Sequence, residues 1–194
     1  MPPHRRPRLA LAALALASLA AACGPDARPA PTREATPSRP PATAAPAPTD
    51  LVGYDLRRLR PRADEPLDAM FERLRTQALG EGKRTMVLFS ADWCEPCKRL
   101  DAELGNRQPA AAIGDVRIFE LKEEDWQGAA RMDEFNQLRR RWHDKTGSYP
   151  LFILLDAAGA RIEEMKDAID RLEAAGVEPT LATWLAEARP AAKG

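Results

Sequence analysis

From Leu51 onward the apolar residues switch repeatedly between two spacings. Leu51 to Leu59 reads as a first strand. Leu67, Met70, Phe71, Leu74 and Ala78 then recur at helical spacing. That helix is expected to open at Asp64 or Glu65, with Pro66 in its first turn, and to stop at Gly80 or Gly82. Thr85 to Phe89 is a continuous apolar run suited to a central strand, and Glu95 to Leu104 follows as a helix. Asp115 to Leu121 alternates as a strand. Met132, Phe135, Leu138 and Trp142 mark another helical face. Pro150 to Leu155 suits a buried strand, and Asp156 to Gly159 a turn into an edge strand, Arg161 to Met165. A short helix over Asp167 to Ala175 and a terminal helix from Pro179-Thr180 complete the pattern. The order βαβαβαββα predicts an α/β domain, a central mixed β-sheet flanked by helices, over residues 51–194.

The first fifty residues follow neither spacing. Residues 1–8 carry Arg5, Arg6 and Arg8 and no acid, and Leu9 to Ala22 is an uncharged Leu/Ala run. A basic start, a short apolar stretch and small residues before Cys23 make residues 1–22 an export signal. The run falls short of the ~20 residues that a membrane span needs. Its ending, Leu19-Ala20-Ala21-Ala22-Cys23-Gly24, resembles a bacterial lipoprotein signal. That resemblance implies cleavage before Cys23, lipidation of Cys23, and an anchor on the periplasmic side of a bacterial membrane. Gly24 after the cysteine is similar to the pattern sent to the outer membrane. The lipoprotein pattern usually has leucine where Ala20 stands, and the alternative is ordinary cleavage with release of a soluble protein.

Residues 23–50 carry the acceptor cysteine and then eight prolines and seven alanines with no apolar periodicity. This composition predicts a disordered linker that leans to polyproline II. At ~3.1 Å per residue it reaches roughly 80 Å when extended, whether as a tether or as a plain spacer.

Charge adds little. Lysine plus arginine equals aspartate plus glutamate at 29 each, and loss of the leader leaves a small negative excess. No nucleic-acid partner is expected from such a balance. No GxGxxG run is present, so neither a flavin nor a nicotinamide site is expected.

Candidate chemistry is concentrated in Trp93-Cys94-Glu95-Pro96-Cys97-Lys98. Two thiols three residues apart, at the end of a strand and the start of a helix, suit reversible thiol–disulfide exchange. Unpaired backbone N–H groups and the helix dipole favour a thiolate at that place. A zinc half-site is the first competitor, but it needs two further ligands, and His143 is the only histidine after the leader. A purely structural disulfide is the second, and so short a loop restrains the unfolded chain little. The default reading of His143 is a surface residue. Trp126, Trp142 and Trp184 read as packing residues.

The order strand, Trp-Cys-x-x-Cys-Lys, helix, strand, helix, aromatic-Pro, strand, turn, strand, helix resembles the thioredoxin superfamily. The resemblance covers nearly everything from Leu51 onward. It implies that Cys94 is the attacking, partly exposed thiol and Cys97 the buried, resolving one. Pro150, 53 residues after Cys97 and preceded by Tyr149, matches the superfamily's cis-proline, which faces the cysteines and whose preceding backbone pairs with the client. A trans proline that merely starts a strand is the alternative. Trp93 is expected to cover the thiols, to bind clients, or simply to pack.

Two departures stand out. Thioredoxin has a small or β-branched residue where Tyr149 stands, and a buried acid where Leu88 stands. The proton of the second thiol then has to go elsewhere, to water or to Glu95. Glu95 between the cysteines opposes a thiolate at Cys94 and so favours a reducing couple, while Lys98 pulls the other way. Cys-Glu-Pro-Cys is also similar to extracytoplasmic thioredoxin-like reductases of cytochrome c maturation.

The expectation is a thiol–disulfide oxidoreductase acting on disulfides of exported proteins, as a reductase or isomerase. Its redox centre is the Cys94–Cys97 disulfide, with no other cofactor and no metal. Electrons would come from a membrane or periplasmic thiol donor, since that compartment is oxidising. The alternatives are a disulfide oxidase and a redox-sensing binding lipoprotein without turnover.

Overall fold

The computed structural model describes residues 50–143 and 148–188. The expected leader, Cys23 and the linker as far as residue 49 lie outside these residues. In chain order the strands are β1 (Leu51–Val52), β2 (Asp55–Arg58), β3 (Arg84–Ser90), β4 (Gln108–Pro109), β5 (Val116–Lys122), β6 (Leu151–Leu155) and β7 (Arg161–Glu164). The helices are α1 (Leu67–Gly80), α2 (Glu95–Leu104), α3 (Ala110–Ile113), α4 (Glu123–Gly128), α5 (Met132–Arg139), α6 (Met165–Ala174) and α7 (Leu181–Glu187).

Five strands form the central sheet in the order β2-β5-β3-β6-β7. β5 runs parallel to both β2 and β3, whereas β6 runs antiparallel to β3 and to β7. This is the expected mixed sheet. β3 and β6 lie inside it, so both of their faces are buried and their sequences are almost continuously apolar.

Alternation along these strands divides the interior into two cores. Val87, Phe89, Phe119, Leu121, Leu151 and Ile153 face α1 and α5. Met86, Leu88, Ile118, Phe152 and Leu154 face α2, α6 and α7. The second core is closed by Phe152 and Trp184, edge to face at 5.7 Å, a geometry that adds ~0.5–1.5 kcal/mol beyond area burial. Trp126 and Trp184 are buried and Trp142 is partly buried, in agreement with their reading as packing residues. His143 is half-buried just beyond α5.

Three local expectations need correction. The single strand over Leu51 to Leu59 is two strands with different partners. β1 pairs antiparallel with β4, and after Gly53-Tyr54 the chain turns into β2, parallel to β5. The expected break near Gly105 to Pro109 holds β4 and leads into the one-turn α3. Between β5 and α5 lies a further helix, α4. Its first turn carries Glu123, Glu124 and Asp125, which the helix dipole favours, and it buries Trp126.

Helix ends show how far apart in sequence the stabilising partners lie. α1 starts after Pro66, which offers no side-chain cap. The N–H of Leu67 instead donates to Glu134 Oε2 of α5 at 2.8 Å, and Arg131 holds that carboxylate in turn. At α7, Thr180 Oγ1 accepts from the N–H of Thr183, and Glu103 of α2 accepts from the N–H of Leu181 at 2.8 Å.

Candidate functional site

β3 ends at Ser90, and α2 starts four residues later with Cys94 as its N-cap. Cys94 has extended backbone angles, and its carbonyl accepts from the N–H groups of Cys97 and Lys98 at 3.1 and 3.2 Å. Its sulfur also accepts from the Cys97 N–H at 3.2 Å. Pro96 sits in the first turn, where its missing N–H costs nothing. Cys94 and Cys97 are joined as a disulfide, their Cα atoms 5.2 Å apart. The Cys94 sulfur lies at a helix N-terminus and receives the Cys97 N–H, a place that favours a thiolate.

Burial corrects one expectation. Cys94 is only 3% exposed and Cys97 2%, so accessibility does not separate the two sulfurs. The covering group is Tyr149, which packs on the cluster of Ala91, Cys94 and Cys97. Trp93 is 64% exposed and meets the Tyr149 ring edge to face at 5.6 Å. The Tyr149–Pro150 bond is cis, as the resemblance implies. Burial, together with the neighbouring Glu123 charge and hydrogen bond, pushes the Tyr149 phenol well above its ordinary range, so the ring is neutral at any physiological pH.

Glu95 and Lys98 form an i,i+3 ion pair at 3.2 Å, with both side chains mostly exposed. The Glu95 carboxylate is thus turned to solvent and countered by Lys98, which weakens its expected opposition to the thiolate. Behind Cys94 the loop is held by polar contacts. The N–H of Asp92 donates to Glu124 at 2.8 Å, and Lys122 Nζ reaches Asp92 at 3.0 Å and Asp101 at 3.1 Å.

Glu120 is the residue that sequence reading missed. Position 88 carries leucine, but strand register sets Leu88 beside Glu120 on β5. Met86, Leu88 and Ile118 all face α2, and paired positions of parallel strands share a face, so Glu120 also projects beneath α2. There it lines a cleft with Asp101, Leu104 and Lys122. It is 4% exposed; Ser90 Oγ donates to it at 3.3 Å, and Lys122 Nζ stands 4.0 Å away. Burial raises its carboxyl above the ordinary range, and Lys122 offsets this only in part. A carboxyl in the middle of the alternating run Val116 to Lys122 is the signal that was available.

A raised value in the folded state means that the folded chain binds this proton more tightly than the unfolded chain. Its contribution to stability is whole below the unfolded carboxyl value, ~4.3, and is lost as pH rises through the raised value. Glu120→Gln is therefore expected to raise Tm at pH 7, by ~4 °C for each kcal/mol of relieved cost, and to change it little at pH 3.5. Thermal melts of the oxidised protein at the two pH values check this. A lower Tm at pH 7 would mean that the Lys122 contact outweighs burial.

A cleft of about 850 Å³ lies along β2, lined by Arg58, Arg60, Met70 and Phe119 among others, and none of its lining residues belongs to the cysteine site.

The family model described as a thioredoxin-like domain matches residues 71–174, which include both cysteines and Pro150. No curated protein matches the chain. Among solved structures it is similar to a disulphide isomerase from Xylella fastidiosa, with 17% identity over 66% of this chain and 95% of that one, TM-score 0.45. It is also similar to the oxidised C-terminal domain of DsbD from Neisseria meningitidis, with 26% identity over 50% and 80% of the two chains, TM-score 0.38. A poplar thioredoxin h shares 16% identity over 57% and 81%, TM-score 0.39.

Proposed function

This chain belongs to the thioredoxin-like domain family, and on that premise we propose that it is a thiol–disulfide oxidoreductase that reduces or isomerises disulfides of exported proteins. The observation that carries the reading is the Cys94–Cys97 disulfide at the start of α2, with the Cys94 sulfur receiving a helical N–H and the cis Tyr149–Pro150 segment packed beside it.

In the reducing direction the Cys94 thiolate attacks one sulfur of a client disulfide. The client S–S bond breaks, a mixed disulfide forms, and the departing client sulfur takes up a proton. Cys97 then loses its proton and attacks the Cys94 sulfur, and the second client thiolate leaves and is protonated. The client gains two electrons and two protons, and the protein ends as the disulfide. Glu120 is the acceptor for the Cys97 proton in this scheme, with Ser90 Oγ donating to its carboxylate. Its raised affinity for protons in the buried site matches that role.

Each cycle ends oxidised, so a dithiol donor, a membrane or periplasmic protein, has to restore the pair. The chain acts at the periplasmic side of a bacterial membrane, the outer membrane being favoured, held by lipidated Cys23 and tethered by the Pro/Ala-rich linker.

Equilibration of the Cys94–Cys97 pair with dithiothreitol buffers tests the direction. A potential near ~−270 mV is expected, in the range of reducing thioredoxins. A value near ~−120 mV would make the protein an oxidase instead.

A further inference from the structure

α5 ends in an arginine that is almost wholly withdrawn from water. Arg139 is 1% exposed, and burial holds its guanidinium below the usual arginine range. Burying a cation is costly unless its hydrogen bonds and charge partners compensate. Two of its contacts lie on consecutive residues beside the disulfide. Nη2 donates to the Ser148 carbonyl at 2.7 Å, and the guanidinium lies over the Tyr149 ring at 5.2 Å. The same ring packs on Cys94 and Cys97 and carries Trp93 on its edge.

The segment held in this way is not part of the sheet. Pairing of β3 with β6 ends at Phe89 and Leu151, so Ser148, Tyr149 and Pro150 continue past the last pair towards Cys94. A polypeptide client brought to the Cys94 sulfur has this segment beside it as an edge along which its chain can lie. Small disulfides carry no such chain. A lysine could keep the charge at 139, but it lacks the planar fork that bonds a carbonyl and stacks on a ring together.

Resting on the reading of the chain as a thiol–disulfide oxidoreductase, we propose that Arg139 is a positioning residue for polypeptide clients. It clamps Ser148 and Tyr149 at the height of Cys94, so that an extended client chain finds a preformed edge beside the reacting sulfur. The role belongs to recognition of the chain around the disulfide and not to the sulfur chemistry itself.

Arg139→Lys and Arg139→Met, compared with the unchanged protein, test this. Two substrates are used, a disulfide-bonded peptide and a small aromatic disulfide such as dithiobis(nitrobenzoate). Both variants are expected to lose about 10-fold more kcat/KM with the peptide than with the small disulfide, the loss residing in KM. Hydrogen exchange on the same samples is expected to be faster in residues 148–151 and unaltered in Phe152 to Leu154. Equal losses on both substrates, or no loss, would overturn the proposal. So would exchange that is faster everywhere or nowhere, a readout that does not require an active enzyme. An unchanged protein that exchanges with neither substrate would instead remove the functional reading, while the hydrogen-exchange result still decides whether Arg139 clamps the segment.

Discussion

Cys94→Ser is expected to reduce disulfide exchange to background, and Cys97→Ala to arrest the protein as a covalent adduct with its client. The asymmetry follows from helix geometry. Both sulfurs are buried to nearly the same extent, so exposure cannot assign the attack. Position in α2 can. Cys94 is the N-cap, with its sulfur at the N-terminal end of the helix, whereas Cys97 lies inside the first turn and donates its own N–H to the Cys94 sulfur. A thiolate is favoured at the first place more than at the second. Without Cys97 the first attack proceeds and nothing resolves the mixed disulfide. Non-reducing mass spectrometry with a disulfide-bonded peptide checks both variants. A Cys97→Ala protein that falls to background while a Cys94→Ser protein forms the adduct would reverse the two roles.

The second large effect concerns the proton. Glu120→Gln is expected to slow the resolving step by ~10²-fold at pH 7, the low end of what a positioned acid–base group contributes. The amide keeps the size of the side chain and a partner for Ser90, but it cannot take the Cys97 proton. Rapid quenching of the pre-formed mixed disulfide between pH 6 and pH 10 measures the step directly. The defect is expected to shrink above ~8.5, where a free thiol ionises without assistance. A uniform defect at all pH values would mean that the substitution disturbs packing beneath α2. An unchanged rate at pH 7 would assign the proton to solvent.

The two Glu120 measurements report on one property from two directions. The burial that costs stability at neutral pH is the burial that makes the carboxyl a ready proton acceptor. A substitution that stabilises the chain at this position is therefore expected to impair the cycle.

Much of the site was legible because its signals are local. A strand run, two cysteines at helix-start spacing and a proline in the first turn all lie within residues 85–97. The cis bond at Pro150 and the packing of Trp126 and Trp184 were also expected, the first from family resemblance and the others from the default reading of tryptophan as a packing residue. The division of the first strand was not legible, because Leu51 to Leu59 carries no sign of which strand each half joins. β1 goes to β4 and β2 to β5, and only those partners set the break at Gly53-Tyr54. The helix after β5 was legible in principle, since three acids precede a buried tryptophan.

By itself the sequence determined the periodicities, hence a mixed sheet between helices, and the chemistry of a paired thiol at a strand-to-helix junction. These depend on contacts between near neighbours, which spacing alone specifies. Tertiary structure decided which groups surround that pair. Glu120 stands beside Leu88 through strand register, Glu134 caps a helix that begins at Leu67, and Tyr149 covers a cysteine that was expected to be partly exposed. Each partner is separated by tens of residues along the chain. Register shifts of a single residue would turn Glu120 to the opposite face, and no local pattern encodes the difference.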